Sequence, residues 1–258
     1  MPGSVIVAGA RTPIGKLSGA LASMTAADLG GIAIKAAMER AGVTPDQIDY
    51  VYMGQVIQAG QGQQNARAAA VNAGIGMDVP SATINKVCLS GLNTILLADQ
   101  LIQSGYADIV VAGGMESMTN APHFVSGLRS GIKLGDGTLV DSMMHDALTC
   151  TFDQCAMGAS VERYMSDWAE LITRDGQDAA AAMSHERAAA AMKEGRFAEE
   201  ITPVAIPQRK GDPIMVEEDE GVRPGTTAES LAGLRAAFAK EGTITAGNAS
   251  QILSLIHI

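Results

Sequence analysis

Basic residues are scarce in this sequence of 258 residues: Lys and Arg together number 18, against 28 Asp and Glu. The formal net charge at pH 7 is therefore −10, and aromatic residues make up only 3% of the chain. A broad nucleic-acid-binding face needs clustered basic side chains, and binding of single strands also uses aromatic stacking. The composition therefore argues against a nucleic-acid partner. It leaves room for an anionic small ligand wherever a few cations cluster.

Long apolar runs and cysteines are also few. No stretch reaches the ~20 apolar residues that span a membrane, and the first residues lack the basic segment and apolar core of a signal peptide. Three cysteines in a chain of this length do not make a disulfide framework. We therefore expect a cytoplasmic protein with no membrane partner. Hydrophobic residues, at 47%, supply ample material for a core.

Two of the cysteines, Cys150 and Cys155, are separated by four residues and follow His145 closely. This spacing is only a weak zinc signal, because no second pair of ligands follows it. Structural thiols are the favoured interpretation, and we expect no metal.

The most informative stretch is residues 81–91, which combine a buried strand with a tight turn that carries Cys88. A helical apolar pattern follows the turn, with Ser90 as the expected N-cap. Cys88 would then lie at the positive end of a helix dipole, where thiolate, the nucleophilic form, is favoured. Nearby N–H groups could also hold an oxyanion. The alternative is that Cys88 is a small buried apolar residue.

Residues 1–114 alternate apolar strands with helical patterns, beginning with a predicted buried strand at 5–8. Continuous apolar strands indicate a mainly parallel sheet that helices cover on both faces. Such sheets place their chemistry at the carboxyl ends of the strands, where Cys88 and Glu116 both fall. Glu116 is either an acid–base group or a carboxylate that accepts hydrogen bonds from backbone N–H groups in a turn.

The composition changes after Met118. Residues 119–155 contain repeated turn signals and few periodic apolar runs, and helical patterns return at about 157–168 and 177–194. Loops of this length in a compact protein are usually functional. We predict an α/β core at 1–118, an inserted loop domain at 119–247, and the start of a return to the core at 248–258.

Several segments resemble the thiolase family, and most closely its biosynthetic type. The matching segments are residues 10–15, 53–56, 62–67, 85–91 (NKVCLSG), 113–118 (GGMESM), 195–197, 223–227 and 242–250. They run from near the start of the chain to residue 250 in the family's order. The resemblance implies a layered αβα fold with a mainly parallel sheet, and an inserted loop domain that covers coenzyme A.

The resemblance also implies the roles of individual residues. Cys88 would be the nucleophile that accepts the acyl group. The coenzyme A or acyl site would be lined by Leu148, Met157, Arg223, Ser230, Phe238, Ala246 and Ser250. Arg223 would contact the adenine nucleotide end, and Met157 would border the acyl group.

The implied reaction is acetyl-CoA C-acetyl transfer. An acyl group passes from an acyl-CoA to the cysteine and then to the carbon of a second acetyl-CoA, or the reverse with CoA as the thiol. Coenzyme A thioesters are the substrates and no cofactor is needed. The family implies a homo-oligomer, a tetramer or dimer, for the full-length protein. The alternative is a non-catalytic acyl-CoA-binding or interaction protein with the same fold.

Three features depart from the family pattern. Leu89 follows the nucleophile where many members have Gly, and Ala156 stands where many have His. The family's second half, which carries a Gly-His-Pro histidine and a Cys-x-Gly cysteine, is not in this sequence. We therefore expect a truncated chain without its C-terminal half, inactive as written, and a non-native tail at 251–258.

Overall fold

The computed structural model describes residues 3–254 of the chain. Of the predicted tail at 251–258, residues 255–258 lie outside the described residues. The helices are α1 (Ala26–Ala41), α2 (Asn65–Asn72), α3 (Ser90–Gln103), α4 (Met157–Met165), α5 (Arg174–Lys193) and α6 (Ala228–Ala232). The strands are β1 (Gly15–Lys16), β2 (Tyr50–Gly54), β3 (Ser81–Ile84), β4 (Val110–Gly114), β5 (His123–Phe124), β6 (Val140–Asp141), β7 (Thr149–Cys150), β8 (Cys155–Ala156), β9 (Val204–Ile206), β10 (Ile214–Val216) and β11 (Leu253–Ser254).

The described chain divides into two compact units. The first comprises residues 3–143, 198–220 and 253–254, and the second comprises 144–197 and 221–252. The first unit thus includes two segments, 119–143 and 198–220, that the sequence analysis assigned to the inserted domain. The sequence-based boundaries at 118 and 247 remain a prediction about domain organisation.

A three-stranded parallel sheet with the order β3-β2-β4 organises the first unit. Val51 and Met53 of β2 are fully buried in the same apolar cluster as residues of α1 and α2. Side chains alternate between the faces of a strand, so Gly54 points to the other face, and there it meets the start of α3. Helices therefore lie on both faces of the sheet, and the predicted layered α/β class is confirmed.

Helix α1 begins and ends where its sequence signals predict. Thr25 and Asp28 form a capping box, in which the Thr25 side chain accepts from the Asp28 N–H and Asp28 accepts from the Thr25 N–H. The helix ends at Gly42, which adopts the left-handed conformation. Local chemistry fixes both ends, so this element could be predicted from the sequence alone.

The predicted buried strand at residues 5–8 is wrong. Val5, Ile6 and Val7 are 80%, 81% and 69% exposed, and the segment is not a strand. A strand needs a neighbour to satisfy its N–H and C=O groups, and none of the strands in the described chain pairs with this segment. Apolar composition alone therefore gave the wrong element.

The second unit contains helices α4, α5 and α6 and the β7–β8 hairpin, and several polar contacts join its parts. Arg174 of α5 donates to Asp178 at 2.7 Å and to the carbonyl oxygen of Leu231 in α6 at 2.8 Å. Asp178, which is 2% exposed, also accepts from the Asn248 side chain at 2.8 Å. Glu162 of α4 accepts the backbone N–H groups of residues 243 and 244. These contacts join α4 and α5 to the segment 243–248, and α6 to α5.

Candidate functional site

Cys88 lies in the turn between β3 and α3, as predicted, and its thiol is free and exposed. The alternative interpretation, a small residue buried in the core, is therefore wrong. Helix α3 begins at Ser90, two residues after the sulfur-bearing position, and is 14 residues long. The first N–H groups of a helix carry partial positive charge, which suits an anion on or next to Cys88.

The backbone of this turn is unusual at Val87, which has a φ of 50°. Two side chains hold it there. Asn85 accepts the Val87 N–H through Oδ1 at 3.0 Å, and Ser90 donates its hydroxyl to the Val87 carbonyl oxygen at 2.5 Å. Ser90 also accepts the Lys86 N–H at 2.8 Å. The turn that presents Cys88 is thus fixed from both sides.

Ser90 is not the N-cap that the sequence analysis expected. The N-cap residue is Leu89, and it makes no side-chain capping bond. Ser90 is already the first helical residue, so its hydroxyl reaches back into the turn instead of forward to the next N–H groups. Leu89 has a φ of −89°, a conformation that does not require glycine.

The strands β2 and β4 fix the start of α3. A Cβ added at Gly54 would lie 2.5 Å from the carbonyl carbon of Ser90 and 2.6 Å from the nitrogen of Gly91. The fully buried Thr94 hydroxyl is within hydrogen-bond distance of the carbonyl oxygens of Gly91 (2.6 Å) and Gly113 (3.0 Å). Glycine at position 54 therefore allows a close approach that no other residue permits.

Glu116, just beyond β4, accepts backbone hydrogen bonds, as one of its two sequence interpretations proposed. Its carboxyl accepts the N–H of Val56 at 2.9 Å and that of Ile57 at 3.3 Å. Burial raises the pKa of Glu116 to about 7. The two backbone donors and the Gln55 side chain act in the opposite direction, but the effect of burial is larger. The carboxyl therefore changes charge close to neutral pH.

A chain of hydrogen bonds leads from Glu116 to the Cys88 turn. Glu116 holds the N–H of Val56, and the Val56 carbonyl oxygen accepts from the Asn85 amide at 3.3 Å. Asn85 in turn holds Val87. That Asn85 links the Val56 carbonyl oxygen to the Cys88 turn was not predicted from the sequence. Its position in the matching segment 85–91 was the one signal that pointed to it.

Gln55 is a second residue that sequence reasoning missed. Its side chain is 1% exposed and donates to the Ile57 carbonyl oxygen at 3.1 Å and to the Gln61 side chain at 2.9 Å. Its Oε1 atom has no hydrogen-bond partner among the described residues. The Gln55 side chain thus ties residue 57 to residue 61 in the loop that follows β2.

The predicted acyl-site residues of the second unit lie near one end of α4. Leu148 ends a π-helical turn and directly precedes β7, which pairs with β8, and Met157 directly follows β8. The Phe238 ring covers Gly158, where an added Cβ would lie 2.4 Å from it. Met157 and Phe238 are 45% and 39% exposed. The structure thus brings three apolar candidates to one region and leaves two of them accessible.

The remaining candidates lie on connected segments of the same unit. Arg223 is exposed, and its backbone N–H donates to the His185 ring at 3.2 Å. Ser230 uses its hydroxyl to cap α6. Ala246 and Ser250 are exposed on the segment that packs against α6 at position 247. These contacts connect the segments but do not by themselves outline a ligand cavity.

A surface cavity of about 600 Å³ lies at the amino ends of β2 and β3, the opposite end of the sheet from Cys88. None of the candidate residues lines it. In the part of the chain that the structure describes, no three His, Cys, Asp or Glu side chains come together as a metal site, and His145 contacts Asp146 at 2.7 Å. No helix within residues 3–254 is long and apolar enough to cross a bilayer.

The fold and the site define a layered α/β protein that presents an exposed cysteine between a strand of its parallel sheet and a helix. The family model of the thiolase N-terminal domain matches residues 4–253. The chain therefore belongs to the thiolase family, and the resemblance seen in the sequence is confirmed.

Curated relatives and a solved structure agree with this assignment. A probable acetyl-CoA acetyltransferase of Mycobacterium tuberculosis is 57% identical over 252 residues, which are 98% of this chain and 64% of the relative. The acetyl-CoA acetyltransferase of Cupriavidus necator is 52% identical over 246 residues, 95% of this chain and 62% of the relative. The crystal structure of Bacillus anthracis acetyl-CoA acetyltransferase superposes with a TM-score of 0.93 at 36% identity, covering 100% of this chain and 64% of that one. The chain thus spans somewhat less than two thirds of the length of these relatives.

Proposed function

We propose that this chain forms part of an acetyl-CoA C-acetyltransferase in which Cys88 carries the acetyl group. The observation that carries the proposal is the exposed Cys88 thiol in a fixed turn at the start of α3. Relatives that are 46–57% identical and bear the names of acetyl-CoA acyltransferases and acetyltransferases support the choice of substrate.

The first half of the reaction is acyl transfer to sulfur. The Cys88 thiolate attacks the thioester carbonyl carbon of acetyl-CoA, and the carbonyl oxygen becomes an oxyanion. Helix N-terminal N–H groups are suited to stabilise such a charge. The oxyanion collapses, the bond to the CoA sulfur breaks, and CoA leaves as a thiolate that takes up a proton.

The second half forms a carbon–carbon bond. A second acetyl-CoA loses a proton from its methyl group, and the resulting carbanion attacks the acetyl carbon on Cys88. The cysteine leaves as a thiolate, and the product is a 3-oxoacyl-CoA. We assign no residue of this chain to the proton transfers, which the family resemblance gives to its second half.

The second unit is proposed to bind coenzyme A. Leu148, Met157 and Phe238 supply apolar surface that suits the acyl and pantetheine portion. The exposed Arg223 guanidinium suits the nucleotide end, since guanidinium groups pair with phosphates and stack on flat rings. Ser230, Ala246 and Ser250 are proposed to complete this surface.

We further propose a cytoplasmic homo-oligomer, a dimer or tetramer, that needs no cofactor besides the coenzyme A thioesters themselves. The family resemblance supports the assembly. The chemistry supports the lack of a cofactor, because a thioester is already activated for acyl transfer. Light scattering of the whole protein would measure its oligomeric state, and a monomer would contradict the proposal.

The direct test is covalent acetylation. The whole protein that contains this chain is mixed with acetyl-CoA, quenched within milliseconds to seconds and digested. Peptide mass spectrometry should find one acetyl group on the Cys88 peptide. Cys150→Ser, which changes another cysteine of the chain, should leave this labelling intact, whereas Cys88→Ala should abolish it.

Two results would contradict the proposal. Acetyl groups on Cys150 or Cys155 in place of Cys88 would refute the assignment of the nucleophile. Tight binding of acetyl-CoA without acetylation would favour the alternative function, a non-catalytic acyl-CoA-binding protein.

A further inference from the structure

Cys150 and Cys155 lie directly opposite each other in the β7–β8 hairpin. Opposed residues of an antiparallel pair have Cα atoms about 4.5 or 5.5 Å apart, and disulfides span Cα distances of roughly 4.4–6.8 Å. Both thiols are free and half-exposed. The hairpin therefore already places the two cysteines at bridging distance and in reach of small oxidants.

The surroundings of Cys155 differ from those of Cys150. The Arg163 guanidinium donates to the Cys155 sulfur at 2.7 Å, and this hydrogen bond is the main cause that raises the pKa of Arg163. The Ser160 hydroxyl lies 3.6 Å from the same sulfur and donates to Asp153 at 2.8 Å. A cation beside a partly exposed sulfur is the setting of reactive cysteines.

Cys150 accepts a hydrogen bond through its sulfur from the backbone of the hairpin loop. Its sulfur accepts the Asp153 N–H at 3.5 Å, and its carbonyl oxygen accepts the Gln154 N–H at 2.8 Å. Among residues 3–254, no Lys or Arg side chain donates a hydrogen bond to this sulfur. The two thiols thus have different environments although they face each other.

We propose that Cys150 and Cys155 form a reversible disulfide in response to peroxide, with Cys155 as the attacking thiol and Cys150 as the resolving one. The Cys155 thiolate attacks one peroxide oxygen and the O–O bond breaks. This leaves a sulfenic acid on Cys155 and a hydroxide that takes up a proton. The Cys150 thiolate then attacks the Cys155 sulfur and the S–O bond breaks. The hydroxide that leaves takes up a proton and becomes the second water. Two thiols lose two electrons, and one hydrogen peroxide becomes two waters.

The bond would join the two strands next to the predicted acyl-site residues. Leu148 precedes the hairpin directly and Met157 follows it directly, so a cross-link between the strands restrains the backbone at both positions. An effect on coenzyme A binding rests on the proposed function, whereas formation of the disulfide does not. Because reducing compartments keep thiols reduced, the bond there would be transient and regulatory rather than structural.

The test uses the protein with Cys88→Ser, so that Cys150 and Cys155 are the two thiols left in this chain. It is exposed to hydrogen peroxide, alkylated and digested with trypsin, and residues 134–163 form one peptide that contains both cysteines. We expect this peptide to lose two hydrogens, to resist alkylation, and to regain both thiols after dithiothreitol. Mass mapping of the same peptide follows the reaction over time.

Single substitutions separate the two roles. With Cys150→Ser, a sulfenic acid should accumulate on Cys155 and be trapped by dimedone. With Cys155→Ser, oxidation of Cys150 should be several-fold slower. Arg163→Gln should slow oxidation of Cys155 in the same way, and Arg163→Lys should restore part of the rate because the positive charge is kept.

Three results would overturn the proposal. The first is that both thiols can still be fully alkylated after treatment with peroxide. The treatment is one that oxidises free cysteine at the same concentration. The second is that Cys150→Ser and Cys155→Ser react at the same rate. The third is that the disulfide forms as fast in urea-unfolded protein, because the fold would then have no part in pairing the thiols.

Discussion

Replacing Glu116 by Gln should remove a large pH dependence from the stability of this protein. Burial raises the pKa of Glu116 from its ordinary value of 4.5 to about 7. Between these two pH values the folded protein keeps a proton that the unfolded chain releases. The free energy of unfolding therefore falls as pH rises through this window. The cost of the buried charge is absent below about pH 4.5 and fully present above about pH 7.

The size of the effect follows from the size of the pKa change. One pKa unit corresponds to about 1.4 kcal/mol, so the full cost is about 3 kcal/mol, and most of it appears between pH 5 and pH 8. Glu116→Gln keeps an oxygen that can accept the Val56 N–H. It has no proton to lose.

The assay is urea unfolding of the wild type and Glu116→Gln at several pH values from 5 to 8. Other titrating groups affect both proteins equally, so the difference between the two free energies of unfolding isolates Glu116. This difference should favour the variant by about 2–3 kcal/mol more at pH 8 than at pH 5. The exposed Glu39, changed to Gln, serves as the matched control and should give parallel profiles. Parallel profiles for Glu116→Gln itself would show that Glu116 does not lose its proton in this pH range when the protein is folded.

Gly54→Ala should destabilise the protein by about 1–3 kcal/mol and slow acetylation of the nucleophile, because its Cβ would meet rigid backbone at the start of α3. Gly233→Ala, which meets nothing, is the control, and equal free energies of unfolding would contradict the prediction. Asp178→Ala should cost about 3–5 kcal/mol in urea unfolding because it leaves buried partners without an acceptor; a loss below about 1 kcal/mol would show that these partners find water. In the whole protein that contains this chain, Arg223→Ala should raise the KM for acetyl-CoA about tenfold with little change in kcat, since nucleotide contacts are the same in the ground and transition states. A fall in kcat at unchanged KM would place it at the chemical centre, and Arg209→Ala should change neither constant.

The elements that the sequence predicted well are those whose ends depend on local chemistry. The Thr25 and Asp28 pair and Gly42 fixed α1, and continuous apolar strands fixed the parallel sheet. The placement of Cys88 between strand and helix was also predictable, because the periodicity of the sequence changes there.

The elements that failed depend on what lies across space. Residues 5–8 have the composition of a strand but no pairing neighbour in the described chain. Ser90 has the chemistry of an N-cap, yet its backbone is already helical, and no sequence pattern shows where its hydroxyl turns. The chain from Glu116 through Val56 to Asn85 crosses three segments far apart in sequence, so it could be found only in the structure.

The left-handed backbone at Val87 has a consequence for how this protein can evolve. A β-branched residue in this conformation is a rare and costly outlier, of order 1–3 kcal/mol, and it persists only because its surroundings hold it. Asn85 and Ser90 are the side chains that hold it here. Substitutions that stabilise a natural protein are easy to find. One that relieved the strain at Val87, however, would also change the turn that presents the Cys88 sulfur. Selection for heat resistance should therefore act elsewhere in the chain, and the strained backbone conformation of Val87 should be kept.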